Sequence, residues 1–264
     1  MKITALTSFC VDFFPEKDQV YVGGNSLNFA TQCKRSGVED VLIIGATGKD
    51  RFGKAIQGYL DHVKIDRSRL YTIDASTASN KIYLDEQGDR YFKADSWQGG
   101  AFDQFRLSED DWLALRDQHI VAMPAGDPNL STLLKRRREG QLVVVDFLDY
   151  LGIEVIKQVI QDIDVVFLSG KEEMLSELQA LAAQHNKLII PTLGAKGSIA
   201  FYGEEKYVQE AIQVDQIVDT TGCGDAFQAA LSIAWAQHRD VPQSLHAGAV
   251  AASKVLKFMG GVEQ

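Results

Sequence analysis

The sequence predicts an α/β fold: a doubly wound, mostly parallel sheet with helices on both faces and a small second β-sheet beside it. Short continuous apolar runs at 142–146 and 165–168 read as strands buried on both faces. Such runs alternate with helical stretches, as in the strand 41–44 followed by the helix 52–62, and this βαβ rhythm points to parallel pairing. A β-rich interruption at 79–94 breaks the rhythm and carries its own glycine turn. No internal repeat, low-complexity segment or linker divides the 264 residues, so residues 1–264 are expected to form a single domain, with the small sheet built from insertions at about 9–22 and 79–98.

Taken in order, residues 3–8 form a first buried strand. Val11, Phe13, Val20 and Val22 then alternate around Pro15-Glu16-Lys17-Asp18, an amphipathic hairpin with Asp12 on its polar face. Gly23-Gly24 opens a helix that runs to Ser36 and stops at Gly37. Asn25 suits a cap of that helix, whereas Asn28 lies too far inside for that role. A hairpin of 79–84 and 90–94 around Asp85-Glu86-Gln87-Gly88-Asp89 needs a partner to bury its apolar face, and the first hairpin is the available one. Trp97-Gln98-Gly99-Gly100 then returns the chain to the main fold, and Lys93, Asp95 and Gln98 are candidates to face a substrate.

Ser108 caps a helix with acids in its first turn. After a strand at 119–123, the helix 127–138 ends in Lys135-Arg136-Arg137-Arg138, basic residues that the dipole favours at a helix C-terminus. Asp146, at the C-terminal end of its strand, is well placed for an active-site crevice. A strand at 187–192 and a hairpin of 198–202 and 206–209 follow. The final helix, 242–258, is rich in Ala and Gly, which suits flat packing against another helix or a purine.

The chemistry gathers in Asp219-Thr220-Thr221-Gly222-Cys223-Gly224-Asp225-Ala226-Phe227. The run 212–218 reads as a strand before it and 226–235 as a helix after it. The turn therefore presents backbone N–H groups at a helix N-terminus, an anion cradle with the Asp225 carboxylate beside it. A cradle and a base together suit phosphoryl transfer to a hydroxyl; a glycine turn with Asp225 as a plain cap is the alternative. The helix dipole favours the ionised form of Asp225. Phe227 occupies the third glycine position of a dinucleotide fingerprint, and Asp50 follows Gly48-Lys49 where a P-loop needs Ser or Thr, so neither motif is present.

This stretch resembles the C-terminal signature of the ribokinase-like (PfkB) carbohydrate kinases. Gly23-Gly24-Asn25-Ser26-Leu27-Asn28-Phe29-Ala30 resembles the family's N-terminal glycine signature. Gly45-Ala46-Thr47-Gly48-Lys49-Asp50-Arg51-Phe52-Gly53 is similar to its G-x-D-x-x-G segment, and Thr192-Leu193-Gly194-Ala195-Lys196-Gly197 to its nucleotide-side turn. The blocks occur in family order and span essentially the whole chain. Residues 23–111 most resemble the bacterial fructoselysine 6-kinases.

The resemblance implies a kinase that uses ATP and Mg²⁺ to phosphorylate a sugar hydroxyl, here the 6-hydroxyl of a fructosamine. By it, Asp225 is the catalytic base, and Gly222, Cys223 and Gly224 supply anion-hole amides. Asp12, Gly24, Asn25 and Asn28 join Asp225 around the sugar. Thr192, Gly194, Gly197, Gly222, Gly224, Ala249 and Ser253 line the nucleotide. Glu172 acts on Mg²⁺ through water, although Ser169 stands where the family has Asn, and Glu172 also fits a plain first-turn acid. Asp219 and Thr221 stand where the family binds a monovalent cation such as K⁺. The family uses its small sheet as a lid, and exposed strand edges there invite a homodimer. Kinases for other sugars or nucleosides, and a non-catalytic sensor, are the rival readings; the intact Asp225 speaks against a sensor.

Net charge −9 disfavours a general nucleic-acid role. The cysteines, Cys10, Cys33 and Cys223, lack the spacing of a disulfide scaffold or zinc site. No signal-peptide pattern or membrane-length apolar run is present, so a reducing cytoplasm is the expected location.

Overall fold

The computed structural model describes residues 1–84, 90–91, 93–149 and 151–263. The chain opens with β1 (Lys2–Leu6), the hairpin β2 (Cys10–Phe14) and β3 (Gln19–Gly23), α1 (Asn25–Arg35), β4 (Asp40–Thr47), α2 (Arg51–His62) and β5 (Asp66–Thr72). Four short strands follow: β6 (Ala78–Lys81), β7 (Tyr83–Leu84), β8 (Arg90–Tyr91) and β9 (Trp97–Gln98). Next come α3 (Ala101–Gln104), α4 (Glu109–Leu115), β10 (Ile120–Pro124), α5 (Leu130–Arg136), β11 (Leu142–Asp146), α6 (Ile153–Val159), β12 (Val165–Ser169) and α7 (Leu175–His185). The last part is β13 (Leu188–Thr192), β14 (Ser198–Tyr202), β15 (Glu205–Gln209), α8 (Cys223–His238) and α9 (Val241–Val255).

The main sheet has nine strands in the order β15-β14-β13-β12-β11-β10-β1-β4-β5. All pairs from β13 to β5 are parallel, and β14 and β15 close one edge antiparallel. Successive residues of a strand face opposite ways. Val144 accordingly joins the core that includes Phe29, Leu231 and Leu245, while Val143 and Val145 join the core with Leu133, Ile156 and Leu178. Burial on both faces is why these strands read as unbroken apolar runs. Thr192, Ser169 and Asp146 end their strands at the carboxyl edge, where open α/β sheets hold ligands.

The small sheet runs β3-β2-β6-β9. Val11 and Val22 bury one face in the core, and the Phe13 ring tilts onto Phe52 at 5.3 Å. On the other face the register lines up Tyr21, Asp12, Asn80 and Trp97 across the strands.

Several elements depart from expectation. The expected second hairpin divides: among the described residues β6 pairs with β2, in parallel, and β7 pairs with β8 in a separate two-stranded sheet. Its predicted turn, 85–89, lies outside the described residues, and Ala94 is in a turn rather than a strand. The ladder of β2 stops at Phe14 because Pro15 has no N–H to donate, so β6 has nothing to follow beyond Ile82, whose N–H reaches Phe13 O at 2.8 Å. Trp97 and Gln98 form the outer strand β9 instead of simply returning the chain.

The run 212–218 is not a strand. The sheet ends at β15, and this segment crosses to α8 with Ile217 and Val218 exposed and the Val218 N–H donated to Leu256 O. The edge strand β5, too polar to show a buried pattern, is absent from the sequence reading. Ser108 and Asp111 form the expected capping box. In the basic run, Arg136 pairs with Glu109 and Arg137 with Asp164.

Candidate active site

The site forms where two helices begin at the carboxyl edge of the sheet. Helix α1 starts after Gly24, whose φ is +103° and where a Cβ would come within 2.5 Å of Ser8 O. Helix α8 starts after Gly222, at φ +78°, where a Cβ would lie 2.6 Å from Gly261. Only glycine permits both the backbone angle and these approaches.

The two starts face each other through side chains. Asn28 donates its Nδ2–H to Asp225 Oδ2 at 2.7 Å. Asn25 Nδ2 donates both to Asp225 Oδ1 at 2.7 Å and to Asp146 Oδ2 at 2.8 Å. Asp225 thus has an amide donor on each oxygen, and the N-cap position of its helix is held by Gly222. Asn25 is likewise not the cap of α1, a position held by Gly24. Asp146 Oδ1 accepts from the Leu148 N–H at 2.8 Å.

Burial dominates the electrostatics. It pushes Asp225 up to about 6, against the Asn28 and Asn25 hydrogen bonds that favour the charged form. Burial first, then the charge of Asp225, raises Asp146 to about 7. Desolvation thus raises Asp225 although a helix N-terminus favours the charged form. The carboxyl still ionises at neutral pH. Burial also lifts the Cys223 thiol to about 11, which leaves it protonated and not nucleophilic. The Cys10 thiol is raised by burial and then by the charges of Asp12 and Asp225. Cys10 and Asp12 share a face of β2.

A cleft leads away from this cluster. Asp146, Asp149, Gly224 and Asp225 line a small lobe of about 170 Å³. Ser169, Thr192 and Gly224 join it to a larger lobe of about 530 Å³, which includes Gly194, Gly197, Ala249 and Ser253. Ile217 and Leu256 make part of its wall apolar, and no Lys or Arg is among the described lining residues. The Gly224 amide, in the first turn of α8, has no intrahelical acceptor and sits at the junction of the lobes. The Cys223 N–H makes a long 3.3 Å bond to Thr220 O.

The remaining candidates are held elsewhere. Glu172 is exposed, pairs with Lys196, and does not line either lobe. Asp219 Oδ1 accepts from Thr221 N and Oγ1, and its Oδ2 accepts from Gly260 N at 2.8 Å, which ties the α8 turn to the C-terminal segment. Among the described residues there is no cluster of three or more His, Cys, Asp or Glu fit to hold a metal. Lys93 lies over the Tyr83 ring, Asp95 pairs with Lys81, and Gln98 donates to Asp95 O, so these three make contacts within the small sheet and its neighbour. The sequence reading missed the C-terminal segment entirely: a Cβ on Gly261 would lie 2.3 Å from Asn28 Nδ2. The doublet Gly260-Gly261 was its visible signal.

Comparison with known proteins identifies the family. Residues 14–263 match the family described as pfkB family carbohydrate kinase. The chain is 28% identical to the fructoselysine 6-kinase of Escherichia coli (strain K12) over 254 residues, 95% of each chain. It is also 28% identical to the fructosamine kinase FrlD of Bacillus subtilis (strain 168), covering 98% of this chain and 92% of that one. Among solved structures, Arabidopsis thaliana ribokinase complexed with ribose and ATP superposes with a TM-score of 0.81 at 22% identity, over 98% of this chain and 93% of that one. Thermotoga maritima ribokinase gives 0.80 at 21% identity, over 99% and 94%.

Proposed function

The chain belongs to the pfkB family of carbohydrate kinases, and from that premise we propose that it transfers the γ-phosphoryl group of ATP to the 6-hydroxyl of a fructosamine, a fructose joined through C1 to an amino acid. The observation that carries the mechanism is Asp225, held on both oxygens by Asn25 and Asn28 at the start of α8. In this reading the hydroxyl oxygen attacks the γ-phosphorus, the bond to the β-phosphate oxygen breaks, and the hydroxyl proton passes to Asp225. Asp12 accepts sugar hydroxyls beside Gly24, Asn25 and Asn28. Amides of Gly222, Cys223 and Gly224 carry charge on the transferring group. ATP takes the larger lobe: Thr192, Gly194 and Gly197 lie at its phosphate end, and the small residues Ala249 and Ser253 form its side.

Mg²⁺, when bound, neutralises charge on the phosphate oxygens. Oxygen donors suit this hard ion, which keeps several waters and needs few protein carboxylates. Our candidate for a carboxylate that would act on it through water is Glu172, which in this structure pairs with Lys196 outside both lobes. The oxygens of Asp219 and Thr221 are of the type a monovalent cation takes.

The fructosamine assignment draws on the two kinases of that substrate class described above. A coupled ADP-release assay across fructosamines, fructose, ribose and adenosine tests it. Fructoselysine or a related fructosamine is expected to give the highest kcat/KM. If any of the other three outcompetes every fructosamine, the substrate assignment fails while the kinase assignment stands.

We read the small sheet as a lid that closes over the sugar and excludes water. Saturating sugar is expected to slow amide exchange in β6, β7 and β8; unchanged exchange would reject closure. Among the described residues β3 and β9 are its outer strands, and pairing between two lids is our reading of a homodimer, which light scattering on the active enzyme would refute by showing a monomer. The free cysteines accord with the cytoplasm as its location.

A further inference from the structure

Among the described residues, Asp146 is a half-buried carboxylate of the cleft that this reaction scheme does not use. It stands at the end of β11 beside the Asp225 carboxylate, with a single amide nitrogen, Asn25 Nδ2, between them. A second acid so close to the first opposes the ionisation of both, and a packing role would be met by a neutral side chain at lower cost. Its surroundings hold it firmly. The Leu148 N–H fixes Asp146 Oδ1, Leu148 itself sits at φ +58°, and the Leu148 carbonyl accepts from Ser169 N at 2.9 Å at the end of β12. Only the nitrogen of Asn25 fits between two carboxylates, because its carbonyl oxygen there would face two acceptors. One acceptor would leave the amide free to rotate about that bond. Two acceptors, one on each N–H, fix its plane and turn its oxygen away from both acids.

We propose that Asp146 is a positioning residue for the transfer: it fixes the plane of the Asn25 amide, and through Asn25 it holds the Asp225 carboxylate against the acceptor hydroxyl. The proposal rests on the reading of Asp225 as the proton acceptor. Asp146 has a second effect, through charge. As an anion it strengthens Asp225 as a base. Apart from Asp225 itself, the charged or titratable groups around the pair are Asp149 on the loop after β11, Cys10 and Asp12 on β2, and Cys223 and Asp219 at the α8 turn. The two acids titrate as a coupled pair, so kcat/KM reports both.

The test is a double-mutant cycle on the full chain, with pH profiles and thermal unfolding for each variant. Asp146→Ala and Asn25→Ala are each expected to lower kcat by about 10²-fold, the scale of a misplaced reacting group, and the double variant to lose no more than Asn25→Ala alone. Asp146→Asn keeps an acceptor for Asn25 but not the charge. It is expected to recover most of kcat and to move the acid limb of kcat/KM to lower pH. Additive losses, or an acid limb that stays in place in Asp146→Asn, would overturn the proposal. Should Asp146→Ala not fold, Asp146→Leu, of similar bulk and without an acceptor, takes its place in the cycle with Asn25→Ala. Asp225→Asn assayed in the same series keeps the two ideas apart: full activity there removes the base, whereas loss there with additivity in the cycle removes only the positioning role.

Discussion

Asp225→Asn is expected to lower kcat by about 10²- to 10⁴-fold, the range of general-base catalysis, with little change in ATP affinity. Asn matches Asp in size and keeps an oxygen to accept one of the two amide hydrogens from Asn25 and Asn28, so the cleft keeps its shape. What disappears is the proton acceptor. The pH dependence follows from the same groups. A base works ionised, and burial has raised Asp225 to about 6 beside Asp146 at about 7. The wild-type kcat/KM is therefore expected to fall as pH drops through the window 7 to 6, and the residual activity of the variant to lack that limb. Stability runs the other way. Between about pH 4, where an unfolded Asp ionises, and pH 6–7, the folded state binds more protons than the unfolded one. Stability is thus lost as pH rises through that window, and Asp225→Asn is expected to unfold at no lower temperature than wild type at pH 8. A capping role predicts the reverse for Asp225→Ala: about 0.5–2 kcal/mol of stability lost with turnover largely intact. Measured kcat and thermal unfolding of both variants separate these outcomes, and near-wild-type kcat in Asp225→Asn would sink the mechanism.

Gly261→Ala is expected to cost kcat nearly as much, from a residue with no reactive group. Its new Cβ would lie 2.3 Å from Asn28 Nδ2, so the Asn28 side chain must move off Asp225. Misplacing a supporting group by about an ångström reduces turnover by up to about 10²-fold. Because the atoms that yield belong to the end of a side chain, stability should fall by no more than about 1–3 kcal/mol, the range for overpacking. Gly58→Ala in α2, where a Cβ meets nothing within 4 Å, is the control and should leave kcat unchanged. Equal kcat in Gly261→Ala and wild type would show that the Asn28 contact is dispensable.

Much of this was legible in the residues themselves. Period and punctuation mark the buried strands β11 and β12, the glycine-started helix α1, the Ser108 cap and the turn into α8. These features depend on neighbours a few residues away. The glycine turn singled out Asp225, and the family resemblance added Asn25 and Asn28. Local signals failed where a partner is distant or absent. Residues 212–218 look like a strand, but the sheet has already ended at β15. The strand β6 takes β2 as its partner, and Pro15 ends that ladder before β7 can join it.

Fold class, the two glycine turns that start α1 and α8, and the acid and amide residue types of the site are written in local sequence. How they meet follows from the packing of distant elements. Asn25 lies 121 residues from Asp146 and 200 from Asp225, yet one nitrogen joins both. Gly261 fits between Gly222 and Asn28 from the far end of the chain. Local periodicity encodes which way a residue faces, whereas hydrogen bonds over such separations depend on strand order and helix packing. The raised proton affinities of Asp225 and Asp146 depend on the same packing, because desolvation exists only once the cleft has closed around them.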